Sequence, residues 1–122
     1  VGPSLGGKSK VELINKAFST PADLANAGVN ISIITDAPVI PLQHLPMCAG
    51  LAANAGLGYE AAWRAITINP AAQTGIGERV GSLEIGKDGD IVIWTADPIK
   101  TVGAAAYVTV VDGKGVYSAD EN

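Results

Sequence analysis

The run Asn30-Ile31-Ser32-Ile33-Ile34-Thr35-Asp36 constrains this chain more than any other stretch. β-Branched side chains crowd a helix and suit a pleated, buried strand. Pro38 then bars continuation, because it brings no N–H donor and restricts the residue before it. The pattern predicts a core strand over about 30–36 with the Asp36 carboxylate at its C-terminal tip. In a parallel α/β sheet or barrel that tip is where active sites are built. Aspartate is also a favoured helix cap and turn former, and on local sequence alone that structural role is the commoner one.

The flanking signals place this strand in an α/β unit. Thr20 can cap a helix, Pro21 stands where a missing N–H costs nothing, Asp23 suits the positive end, and Gly28 ends the helix. Leu24 and Ala27 are expected to face inward. Helix and strand are then separated by one or two residues, the αβ step of a repeating architecture. Upstream, residues 1–7 read as a Gly- and Pro-rich loop. Ser9 with Glu12 forms a capping box for a short helix whose apolar positions are Val11, Leu13, Ile14 and Ala17.

Downstream, a Pro-punctuated loop over 37–41 leads to a helix expected over 42–55. Its apolar face is Leu45, Cys48, Leu51, Ala52 and Ala55, and Pro46 is tolerable only near its first turn. Gly56 and Gly58 break it. A second helix follows over 59–67, with Ala62 and Ile66 inward and Glu60–Arg64 as an i,i+4 pair worth about 0.3 kcal/mol. Asn69-Pro70 start a helical turn that stops at Gly75 and Gly77. The period then changes from helical to alternating. Val80, Leu83 and Ile85 alternate loosely, Gly86-Lys87-Asp88-Gly89 makes a turn, and Asp90-Ile91-Val92-Ile93-Trp94 reads as a strand. After a turn at Asp97-Pro98, two further apolar runs flank Asp112-Gly113, a strong hairpin signal because a type I′ turn needs positive φ at both central positions. The chain thus divides near residue 77, into an α/β part over 1–77 and a small β part over 78–122.

Composition excludes several function classes. The chain has 122 residues, room for one modest domain, and a hydrophobic fraction of 48% against 16% charged residues rules out a disordered chain. No apolar run approaches a membrane span, and no leader of basic then apolar residues is present, so no membrane partner is expected. The net charge is −4 and the 8 Lys and Arg are scattered, which is no footprint for nucleic acid. A lone Cys48 can form neither an internal disulfide nor a structural zinc site, and it suits a reducing, cytoplasmic setting. The only histidine is His44, whereas a self-sufficient metallohydrolase carries more ligands. The chain opens at Val1 with no initiator Met. Either it is not an enzyme or it is a piece of one.

Four stretches in order resemble one family. Ile33-Ile34-Thr35-Asp36 with Pro38 resembles the last barrel strand of the metal-dependent amidohydrolase superfamily, in which an invariant aspartate follows Thr or Ser. Ala65-Ile66-Thr67-Ile68-Asn69-Pro70-Ala71 resembles the passage from its final barrel helices to its β domain. Residues 80–93, Val-Gly-Ser-Leu-Glu-Ile-Gly-Lys-Asp-Gly-Asp-Ile-Val-Ile, resemble the G-S-(I/L)-x-x-G-K-x-A-D-(I/L)-V run of that β domain, with Gly89 where the family prefers Ala. Val110-Val111-Asp112-Gly113-Lys114 with Val116-Tyr117 is similar to its closing hairpin. The imidazolonepropionase-like branch is the nearest.

The resemblance implies a TIM-like (β/α)8 barrel with a β-sandwich assembled from both chain ends. It also implies one or two divalent metals, usually zinc, at the barrel mouth. Their ligands are a His-x-His, a carboxylated Lys or Glu, two further His, and the aspartate of strand eight. Only the last exists here. A full barrel takes about 250 residues, so this chain is expected to be the carboxyl-terminal third of a larger enzyme, and its partners a small-molecule substrate and the missing N-terminal part of the barrel.

On the resemblance, Asp36 is a metal ligand and proton shuttle. His44 falls eight residues later in a predicted helix, where the family uses no ligand, and a structural role is expected for it. Cys48 on an apolar helix face is expected to be a buried, inert thiol. The loop 2–7 would follow strand seven, so Ser4 and Lys8 are candidate substrate contacts, against the plainer reading of a Gly-rich connector. Trp63 and Trp94 are expected to pack. No helix follows Gly86-Lys87-Asp88-Gly89, so turn chemistry explains that run better than phosphate binding. The leading reading is the C-terminal portion of an enzyme that hydrolyses C–N bonds of small amides, inactive by itself. An autonomous α/β binding or assembly module is the alternative. A severed barrel should self-associate, whereas a true module should be a stable monomer.

Overall fold

The computed structural model describes residues 1–2 and 18–121. The helix expected from Ser9 lies outside the described residues.

Helix α1 spans Thr20–Asn26. Thr20 lies inside its first turn and Ser19 precedes it, so the start falls one residue earlier than the capping signal suggests. The C-terminus follows the Schellman pattern: Gly28 at φ 84° donates to the Ala25 carbonyl at 3.0 Å, and Val29 donates to that of Leu24 at 3.1 Å. Ala27, expected to face inward, is exposed because the helix has already ended there; Pro21 and Ala22 are buried and Leu24 is half-buried.

Residues 29–35 run extended but form no sheet ladder among the described residues. Ile31, Ile33 and Thr35 are buried while Ile34 is about half exposed, the period-2 alternation of a strand with one core face. On one edge Val1 bridges two residues: its nitrogen donates to the Ser32 carbonyl, and its carbonyl accepts the Ile34 N–H at 3.0 Å. One residue bridging i−1 and i+1 in this way is the parallel pattern. The opposite edge is met by helices, so the extended backbone has partners without a second strand.

The helix expected over 42–55 is divided. A 3-10 turn at Leu42–His44 feeds α2, Leu45–Ala52, with Pro46 in its first turn. A π-turn at Ala53–Leu57 follows, broken where Gly56 adopts φ 112°. Cys48 and Ala52 are buried as expected, and Ala49 and Gly50 join them. Helix α3, Tyr59–Ile66, buries Ala62 and Ala65, with Ile66 half-buried against the same core. The Glu60–Arg64 pair does not form; the ion pairs among the described residues are Arg79–Asp88 and Lys87–Glu84. Helix α4 is Ile68–Gln73. The core is Ile31, Ile33, Cys48, Ala49, Ala52, Ala62, Ala65 and Ile99. Its many alanines let helices and extended segment approach closely.

Past α4 the chain turns repeatedly, and Leu83 and Ile85 do not alternate as a strand. Leu83 is 74% exposed and Ile85 wholly so. Gly81 and Gly86 bend the backbone at φ 97° and 93° on either side, leaving no straight run. Lys87 organises these turns: its Nζ donates to Ser82 Oγ at 2.7 Å and lies 3.0 Å from Glu84.

Strands β1 (Ile91–Trp94), β2 (Ala106–Val111) and β3 (Lys114–Ser118) form an antiparallel sheet in that order. Asp112 and Gly113 close the hairpin with φ of 51° and 73°, as the type I′ signal requires. Ile91, Val92 and Ile93 are all 40% exposed or more, so neither face of β1 is fully covered.

The sheet is tied to the helices through residues 97–100. Ile99 inserts into the helical core, and Gly50 admits it: a Cβ on Gly50 would stand 2.4 Å from the Ile99 carbonyl oxygen. Asp97 accepts a hydrogen bond from the Tyr59 hydroxyl, and its other oxygen accepts the N–H groups of Ile99 and Lys100 at 3.0 and 3.3 Å. Lys100 Nζ lies 4.1 Å from the Tyr59 ring centroid.

Candidate functional site

Asp36 stands at the end of the extended segment and is exposed. Its backbone adopts φ 54°, a left-handed conformation that Asp tolerates better than most side chains. Its carbonyl accepts the Val39 N–H at 2.9 Å, closing a turn that contains the cis Ala37–Pro38 bond. Ile40 is buried just beyond and anchors the exit of the chain. The segment is held from below. Ile33 donates its N–H to the Ala65 carbonyl at 2.9 Å, Asn69 Nδ2 donates to the Ile31 carbonyl at 2.9 Å, and Gln73 Nε2 donates to the Asn30 carbonyl at 3.0 Å. Ser32 Oγ donates to Gln73 Oε1 at 2.7 Å.

Among the described residues the Asp36 carboxylate has neither a hydrogen-bond donor nor an ion-pair partner. A carboxylate is a hard oxygen donor, the kind of ligand that divalent cations such as calcium and magnesium take. No group of three or more His, Cys, Asp or Glu comes together among the described residues, so they do not close such a site. His44 is half-buried at the end of its 3-10 turn. Cys48 is fully buried in the core, as its helix face predicts. Ser4 and Lys8 lie outside the described residues.

A cavity lies elsewhere among the described residues. A groove of about 690 Å³ runs between α2–α4 and the start of the sheet, lined by Leu45, Trp63, Ile66, Leu83, Ile91 and Trp94 among others. Its wall is mostly apolar and Asp36 is not part of it. Thr67, Thr74, Ser82, Asp88 and Asp90 are among the polar residues of that wall. Trp63 packs against the core, in line with its expected role.

Local reading did not reveal the Asn69 and Gln73 contacts, or the Tyr59–Asp97 bond. Asn69-Pro70 signals a helix start and Asp97-Pro98 a turn, but each polar partner lies 38 residues or more away.

Comparison with known proteins decides the family. The amidohydrolase family profile matches residues 8–117. The chain belongs to the amidohydrolase family. It resembles the imidazolonepropionase-like branch: it is 33% identical to imidazolonepropionase of Bacillus velezensis over 82 residues, covering 65% of this chain and 20% of that protein. Amidohydrolase tasK of Hapsidospora irregularis is 38% identical over 90 residues, covering 74% of this chain and 9% of its own length. The crystal structure of an amidohydrolase from Thermotoga maritima superposes with a TM-score of 0.92 at 36% identity, over 97% of this chain and 30% of that one. The chain therefore spans less than a third of each of these amidohydrolase relatives. No helix among the described residues is long and apolar enough to cross a membrane.

Proposed function

We propose that this chain is the carboxyl-terminal portion of a metal-dependent amidohydrolase that hydrolyses C–N bonds of small, including cyclic, amides. Residues 1–77 are the last strand and final helices of a (β/α)8 barrel, and residues 78–122 are strands of a composite β-sandwich. The observation that carries this reading is the Asp36 carboxylate, unpartnered among the described residues at the tip of an extended segment with a parallel neighbour, in a chain of this family. The incompletely covered sheet supports it, since the proposed composite sandwich would cover that surface.

A divalent cation, zinc by family expectation, would lower the pKa of a bound water and polarise the scissile carbonyl. Asp36 would supply one of its ligands. Its carboxylate would also take up the proton of the attacking water and pass it to the leaving nitrogen. The buried residues Ile31, Ile33 and Thr35 hold this carboxylate on a rigid base.

The test is the full-length protein beside its Asp36→Asn variant, assayed for zinc content and for amide hydrolysis across a panel of cyclic amides. The variant should lose hydrolysis by at least about a hundredfold, within the usual contribution of a general acid–base. Wild-type turnover rates in the variant would refute the role of Asp36. Residues 1–122 alone should be inactive, because one carboxylate cannot supply the three protein ligands of a catalytic zinc. Metal-supported turnover by that piece would refute the assignment to a larger barrel.

A further inference from the structure

The alternation that buries Ile31, Ile33 and Thr35 forbids a slip of one residue, which would turn every buried side chain to the other face. It does not forbid a slip of two. Val29, Ile31 and Ile33 present an equally apolar set with the same parity. Such a slip would carry Asp36 about 6.6 Å along the strand axis, too far for any ligand or proton-transfer geometry. Hydrophobic pattern by itself therefore does not fix the segment along its axis, and polar contacts add to what holds it.

Those contacts come from one turn of α4. Asn69 Nδ2 holds the Ile31 carbonyl at 2.9 Å, and Gln73 Nε2 holds that of Asn30 at 3.0 Å. Side chains at 69 and 73 are four residues apart and share a helix face. The same Gln73 reads side-chain identity, because its Oε1 accepts the Ser32 hydroxyl at 2.7 Å. In that slip Asn30 would take the place of Ser32, and the 2.7 Å hydroxyl contact to Gln73 would be lost. We propose that Asn69 and Gln73 hold the segment carrying Asp36 against α4 and are positioning residues for its carboxylate. The link to Asp36 rests on the function proposed above.

The experiment uses the full-length protein with Asn69→Ala, Gln73→Ala and the milder Ser32→Ala. Amide hydrogen exchange over residues 30–35 is measured without metal, and zinc affinity is measured by competition with a chelator. Asn69→Ala and Gln73→Ala should each speed exchange of the Ile33 amide about tenfold, as expected for loss of one hydrogen bond. They should weaken zinc about 10–100-fold, the usual effect of removing a group that orients a ligand. Ser32→Ala, which removes one hydroxyl, should show both effects to a smaller degree. Unchanged exchange in all three variants overturns the proposal. So does faster exchange with unchanged zinc affinity while Asp36→Ala weakens zinc. If Asp36→Ala itself leaves zinc affinity untouched, the metal reading of Asp36 fails and the positioning claim falls with it.

Discussion

Gly50→Ala is the substitution on which helix propensity and tertiary packing give opposite signs. Gly50 lies inside α2, and replacing glycine by alanine within a helix returns about 0.5–1 kcal/mol. In this fold the added Cβ would stand 2.4 Å from the Ile99 carbonyl oxygen. Comfortable contact begins at about 3.5 Å, so turn 97–100 must retreat by about 1 Å. The obstacle is backbone on both sides, so no rotamer change relieves it. Ile99 is 7% exposed, and an isoleucine taken wholly from such a site loses about 1.5–3 kcal/mol. The balance is a net loss of about 0.5–2.5 kcal/mol when Ile99 is fully displaced. Unfolding of the full-length protein should shift to lower denaturant, and hydrogen exchange over residues 97–101 should quicken. A variant with a raised midpoint and unchanged exchange there would show that the turn does not bear on α2, and the reasoning would be wrong.

Three further outcomes follow from the same contacts. The Tyr59 hydroxyl on Asp97 holds the carboxyl below its ordinary range and pushes the phenol above its own. The Asp97 contribution to docking is therefore present above the unfolded carboxyl value of about 3.9 and is lost as pH falls through the lowered folded value. The Tyr59 contribution is lost as pH rises through its raised value. Tyr59→Phe should move the acid-side onset of exchange over 97–101 to higher pH, and an unmoved onset would show the bond to be idle. Gly113→Val places a β-branched side chain at φ 73° and should destabilise the hairpin by about 1–2 kcal/mol, read as lost amide protection in β2 and β3. Residues 1–122 expressed alone should self-associate through the exposed edge strands β1 and β3. Val92→Lys with Val116→Lys should return the species on a sizing column towards the monomer, and a monomeric wild-type piece would count against the severed-barrel reading.

Period, caps and turn chemistry made most of the elements legible in the chain itself. Gly28 ends α1, Asp112-Gly113 closes the hairpin, Cys48 is buried, and residues 30–35 run extended up to the turn at Asp36. These are local or nearly local effects, in which a residue's own φ preference or its neighbours three and four places away decide the outcome. The loose alternation over 80–85 does not become a strand, because the positive-φ glycines Gly81 and Gly86 turn the backbone. Ala27 does not face inward, because the helix stops one residue sooner than its apolar spacing implies.

Sequence alone therefore determined the family motifs, the order of elements and the placement of Asp36 at the end of an apolar extended run. Only the tertiary structure decided what supports that run: a parallel contact with Val1, amide bonds from Asn69 and Gln73, and a core completed by Ile99 from the turn between β1 and β2. The physical reason is range. Propensity and periodicity act over one or two turns of chain, whereas a backbone carbonyl accepts a donor from any residue the fold brings within 3 Å, and nothing in the local pattern names that residue in advance.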